Sequence, residues 1–118
     1  MNDLVSRIAT NVGIDPDTAA KAVGAILEFL KSEGPADKVK EMLASVPGAE
    51  DLIAQAPSGG MLSMGGVMGL GQKLMGMGLG MGEISSVAKE TMGYARENGA
   101  GDSIDEIVAS IPGLSQFV

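Results

Sequence analysis

The chain has no cysteine, no histidine and no tryptophan, and Phe29, Tyr94 and Phe117 are its only aromatic residues in 118 positions. Without cysteine there is no disulfide framework, no thiolate metal site and no thiol nucleophile. Without histidine the commonest general base and metal ligand is gone. Positive charge is scarce as well: eight lysines and arginines against 15 acids leave a net charge of −7. That balance argues against nucleic-acid binding, which needs cations to displace the counterions of phosphates. The opening stretch, with Asp3 early and Leu4, Val5 and Ile8 interspersed with polar residues, has no apolar run of signal-peptide length. Neither end carries a lipidation motif. The expected compartment is the cytoplasm, with an exported form trimmed of its leader as the alternative.

What is present is a repeat. Shifted so that Asp37 falls on Asp102, the chain matches itself without a gap as far as Gly48 on Gly113. The Asp, Glu, Ala, Ser, Pro and Gly of that stretch are identical, and each apolar position stays apolar. Upstream, Gly34 meets Gly99, Lys31 meets Arg96, Phe29 meets Tyr94 and Leu27 meets Met92. The expected organisation is one helical domain over 1–118. Its first unit is 1–56, its connection 57–66 and its second unit 67–118, the two being pseudo-symmetric halves of one core. Half of so short a chain buries too little surface to be safely stable alone.

The unit reads as helices. Asp15 stands where a side chain caps free amides, and Pro16 suits a first helical position. Ala19, Val23, Ile26, Leu27 and Leu30 follow at helical spacing until Gly34-Pro35 stops the run. Val39, Met42, Leu43 and Val46 form the stripe of a second helix, closed by Pro47, and Ala49 to Ala54 read as further helical turns. In the second unit the spacing predicts a helix over 86–98, a break at Gly99-Ala100-Gly101 and a capping-box start at Ser103 to Glu106. The stripe Ile104, Ile107, Val108 and Ile111 follows. Residues 3–12 read as a short helix with Leu4, Val5, Ile8 and Val12 apolar. No segment alternates with a period of two, so the fold class is all-α, a small helical bundle.

These residues also carry a resemblance. A short apolar helix, the Val12-Gly13-Ile14 turn, the alanine-rich run Ala19 to Leu30 and the stretch Ala44 to Ile53 are together similar to the bacterial VcgC/VcgE-like family of unknown function. The resemblance covers the first half and extends to the second through the repeat. It implies a small helical fold and assigns no activity and no functional residue.

Residues 57–82 are unlike the rest. They hold ten of the 18 glycines, six of the nine methionines and a single charge, Lys73. The length would cross a bilayer, but glycine supplies little transfer energy and Lys73 near its centre costs about 2.5–3.5 kcal/mol. A membrane span is therefore not expected. Val67, Leu70, Leu74, Met77 and Met81 lie at helical spacing and predict a weak helix packed inside the fold, partly buried against the first unit. Ser58 to Gly65 predicts an irregular, mobile entrance. Methionine is flexible and polarizable and is overused on surfaces that adapt to apolar partners. Met61, Met64, Met68 and Met75 are accordingly the candidate contact residues, for a second copy or for an apolar protein partner. The alternative is a binding protein for an apolar small ligand or for Cu(I), held by the thioethers of Met61, Met64, Met75 and Met77 with Met68 or Met81 as a further ligand.

Catalytic candidates have simpler explanations. Asp102, Asp105 and Glu106 sit at a helix start, where acids are favoured by the helix dipole, and so do Asp15 and Asp17. Glu90 and Glu97, seven apart, share a helix face, but no histidine completes a carboxylate metal site. Gly78-x-Gly80-x-Gly82 lacks the preceding strand and the Gly-Lys-Ser/Thr of a phosphate loop. The expectation is a protein that is not an enzyme and needs no cofactor.

Overall fold

The computed structural model describes residues 3–46, 48–55 and 66–111. Seven α-helices and no strand occur among them: α1 (Asp3–Ile8), α2 (Pro16–Glu33), α3 (Ala36–Ser45), α4 (Ala49–Gln55), α5 (Gly66–Gly76), α6 (Met81–Ala95) and α7 (Gly101–Ser110). A π-helical turn, Ala9–Gly13, prolongs α1, and Arg96–Ala100 joins α6 to α7 through a kink at Asn98 and left-handed Gly99. The all-α reading holds. Ser58 to Gly65, expected to be irregular, lies outside the described residues.

Helix α2 forms the axis of the fold and packs against α1, α3, α4, α5 and α6. It starts where the sequence places it, with Asp15 in extended geometry and Pro16 at the first turn. Asp15, however, makes no side-chain capping bond. Proline has no N–H, so one of the four donors a cap would serve is already missing at this terminus. The helix ends at Gly34, whose position is set by crowding. A Cβ there would lie 2.8 Å from the Leu30 carbonyl oxygen and 2.9 Å from the Val39 side chain. Only a residue without a side chain lets α2 turn this closely into α3.

The apolar stripes point inward as their spacing requires. Val39, Met42 and Val46 on one side and Ile104, Ile107 and Ile111 on the other are 0–3% exposed, and Leu43 and Val108 are half-buried. Helix α5 packs on α2 and buries Leu70 and Leu74. Its stripe ends at Met77, which packs partly buried against the core, while Met81 is 61% exposed. The chain leaves helical geometry at Gly78, with φ +93°, so the helical spacing that would have aligned Met81 with Leu74 is interrupted.

Element bounds recur at the spacing of the repeat. Pro16 opens α2 and Met81 opens α6; α3 runs over 36–45 and α7 over 101–110. Gly13 and Gly78 both take left-handed φ, +82° and +93°. Val46 and Ile111 leave their helices with φ/ψ of −108°/109° and −107°/110°. Helix α1 packs on α6, and α5 packs on α2.

Two helix starts differ from their sequence signals. Helix α6 begins at Met81, ahead of the predicted start at Ser86, because the Glu83 carboxylate accepts the Gly80 N–H at 2.8 Å and closes the first turn. Helix α7 begins at Gly101, so Ser103 lies inside it and caps nothing. The Ser103 hydroxyl instead donates to Glu41 Oε2 on α3 at 2.7 Å. Cross-helix partners have taken both ends of the expected capping box, since Glu106 pairs with Lys38 at 2.9 Å.

Candidate functional site

The nominated methionines separate into distinct environments. Met61 and Met64 lie outside the described residues, and Met68 falls in α5 with its side chain likewise outside the description. Met75 is 50% exposed near the end of α5, and Met81 is 61% exposed at the start of α6. These two are the exposed large apolar side chains among the described residues. Met77, proposed as a thioether ligand beside Met75, packs instead partly buried against the core. Met42 and Met92 are core residues at 0% and 3% exposure. The sequence spacing assigns Met81 to the stripe, or to a thioether ligand set, and not to the contact residues. Flanking glycines do not mark it out, since Met77 has them too and packs against the core; the break at Gly78 separates the two.

The junction between the two helices is built by three backbone bonds. Met77 N–H donates to Leu74 O at 3.0 Å, Gly78 N–H to Met75 O at 3.0 Å, and Leu79 N–H to Leu74 O at 3.4 Å. They wrap the end of α5 and send the chain through left-handed Gly78 into α6. Leu79, 4% exposed, anchors the turn in the core between the two exposed methionines. From Met75 to Gly82 the chain carries no charged residue. The turn is thus pinned on its inner side, and its outer side carries Met75, Met81 and the Glu83 carboxylate that caps Gly80.

Charged clusters were the other candidates. Glu90 and Glu97 do come together, through Arg7: Nε donates to Glu90 Oε1 at 2.8 Å, and Nη1 and Nη2 donate to the two Glu97 oxygens at 3.1 and 2.8 Å. Asn11 Nδ2 adds a bond to Glu90 Oε1 at 3.3 Å. The Glu97 hydrogen bonds, followed by those of Glu90, raise the Arg7 pKa, and Arg7 in turn lowers that of Glu97. Both carboxylates are engaged as acceptors of a guanidinium, an arrangement that ties α1 to α6. Asp105 accepts from Arg96 Nη2 at 2.7 Å. Lys38 is raised chiefly by its hydrogen bond to Glu106. Among the described residues no group of three or more acids could hold a metal ion.

The described surface also has open depressions. One of about 540 Å³ lies between α3 and the start of α7, among Lys38, Glu41, Asn98, Asp102 and Ser103. Its Lys38, Glu41 and Ser103 are already paired across the helices, and Asn98 donates to the Tyr94 carbonyl. Another, about 450 Å³, lies at the α3–α4 corner beside Leu43, Val46 and Ala49. Neither brings an activated nucleophile next to a base. None of the described helices is long and apolar enough to cross a membrane.

Compared with known proteins, residues 1–90 match the family model described as "Protein of unknown function VcgC/VcgE (DUF2780)". No curated protein and no solved structure gives a match.

Proposed function

The chain belongs to the VcgC/VcgE family, whose description assigns no activity, and from that premise we propose that it is a non-catalytic interaction module. It associates with a second copy of itself through the junction of α5 and α6. The observation that supports this is the exposure of Met75 and Met81 on the two sides of one turn whose own residues, 75–82, carry no charge, in a chain whose net charge is −7. Apolar side chains left uncovered on an otherwise acidic molecule are where a like-charged copy meets least repulsion. Methionine flexibility lets two such surfaces adjust to each other.

Magnitude sets how tight this is. Completing the burial of four half-exposed methionines across a dimer is worth roughly 4 kcal/mol, taking about 1.5–3 kcal/mol for each side chain buried in full. Lost rotational and translational freedom costs a comparable or larger amount, about 4–15 kcal/mol. Association through these side chains alone is therefore no tighter than about millimolar. Met61, Met64 and Met68, adjacent in sequence, strengthen it. The recurrence of helix bounds and glycine geometry from one unit to the next supports reading the protein as two pseudo-symmetric halves, of which this junction belongs to the second.

Multi-angle light scattering tests the proposal. Molar mass should rise above the monomer value as concentration approaches about millimolar, where weak contacts become populated. The quadruple substitution M61Q/M64Q/M68Q/M75Q should lower it while leaving the circular dichroism of the helices nearly unchanged. A monomer mass across the whole range overturns the reading, and loss of helical signal in the variant shows those methionines to be core.

A further inference from the structure

We propose that Met75 and Met81 form a peroxide-responsive modification site, oxidised to methionine sulfoxide while the core methionines Met42 and Met92 stay reduced. The contrast in access is large: 50% and 61% exposure against 0% and 3%. The ground around the two side chains is open as well. A Cβ added at Gly76, Gly78 or Gly82 would meet nothing within 4 Å. Among the described residues no side chain crowds these three glycines, and Glu83 reaches only Gly80, so an oxidant reaches the two thioethers from solvent.

The reaction is a two-electron oxygen transfer. A sulfur lone pair attacks one oxygen of a hydroperoxide, the O–O bond breaks and the S–O bond forms. The departing hydroxide or alkoxide takes the proton and leaves as water or alcohol, so the peroxide is reduced as the thioether is oxidised. The product is polar where the thioether was apolar, and it is reversible by sulfoxide reductases. Met75 sits in the last turn of α5 and Met81 at the first position of α6, with their side chains in solvent, so the added oxygen disturbs no packed core. A buried methionine must wait for local opening, whose cost rises toward the global stability in the core. Resting on the association proposed above, the modification supplies its control, since sulfoxide replaces the apolar surface the contact uses.

The experiment treats the full chain with hydrogen peroxide and maps the added oxygen by peptide mass spectrometry over time. Met75 and Met81 should oxidise at least about tenfold faster than Met42 and Met92, in keeping with their access. M75L/M81L should lose that fast uptake while Met42 and Met92 remain slow. Oxidation of Met42 or Met92 as fast as Met75 and Met81, in protein whose helical signal is intact, overturns the proposal. Mass measured before and after oxidation keeps the two ideas apart. A chain that is monomeric throughout yet oxidises selectively defeats the association and leaves the modification site. Uniform oxidation of an associating chain does the reverse.

Discussion

Helices α2 and α6 hold equivalent places in the sequence repeat and carry matching apolar spacing, yet they are covered to different degrees. Between Ala19 and Leu30, α2 leaves only Lys21 exposed and Glu28 half-buried. Over the equivalent span of α6, Ser86 and Lys89 are exposed and Ser85, Glu90, Gly93 and Tyr94 half-buried. The residues that differ explain how. Ala20, Gly24 and Ala25 in α2 are small enough for neighbours to approach closely, and their counterparts are Ser85, Lys89 and Glu90. Helix α4 lies along α2 as its most extensive neighbour. The stretch equivalent to α4 in the second unit starts at Leu114, past the described residues. One spacing thus serves a central helix or a one-sided helix, and the small residues between the stripe positions decide which.

The strongest way to break this comparison is to give α2 the polar residue of α6. Ala25, 2% exposed, has Glu90 as its counterpart. Ala25→Glu buries a carboxylate with no arranged partner, a cost of several kcal/mol against a total stability of about 5–15 kcal/mol. Chemical denaturation should show the variant largely unfolded or its midpoint sharply lowered. The reverse change, Glu90→Ala, removes a partly exposed ion pair and should cost about 0.2–1 kcal/mol.

A smaller effect separates the aromatic pair. Phe29 is 1% exposed, and its counterpart Tyr94 is half-buried. Phe29→Ala should lose about 3–5 kcal/mol in urea unfolding, and Tyr94→Ala distinctly less. Equal losses would mean that α6 is covered as fully as α2.

Where the two units agree, substitution should sharpen the agreement. Gly13 and Gly78 share a left-handed φ, and neither has an atom within 4 Å of an added Cβ. Gly13→Ala and Gly78→Ala should therefore each cost about 1–2 kcal/mol, from backbone strain alone. A large difference between them, read by thermal unfolding, would show that the turns are not equivalent.

The smallest effect is one of pH, at the Arg7–Glu97 pair. Arg7 holds the Glu97 carboxyl below its ordinary value of 4.5. A lowered folded pKa contributes stability that is present above the ordinary value and lost as pH falls through the lowered one. Glu97→Gln should remove that small acid-side slope and leave stability near neutrality almost unchanged, because the pair is exposed.

Much of this architecture was legible because it rests on spacing. The stripes Val39 to Val46 and Ile104 to Ile111 state which side is buried, and Pro16, Gly34 and Gly99 punctuate the helices they bound. What was not legible depends on partners distant in the chain. Ser103 and Glu106 have the spacing of a capping box, but Glu41 and Lys38 reach them first across the α3–α7 contact. The two contacts are reciprocal in the repeat, since 38 and 41 correspond to 103 and 106. Glu90 and Glu97 looked like an unused face until α1 brought Arg7 to them. The candidate surface was legible only as a region: composition marked residues 57–82, whereas the break at Gly78 decided that Met81 faces solvent and Met77 the core.

The Arg7 clamp has a consequence for the order in which the molecule assembles. Its partners lie 83 and 90 residues further along the chain. During synthesis at about 5–20 residues per second, Arg7 waits roughly 5–20 seconds before Glu97 has even been joined to the chain. For that interval α1, six residues long and too short to hold itself as a helix, has its late partner α6 still unmade. Its docking on α6 is a closing event of folding, paid for in loop-closure entropy that earlier contacts have already reduced. Helix α1 can meet α2 earlier, so its protease protection should reach its full extent only once the nascent chain extends past α6.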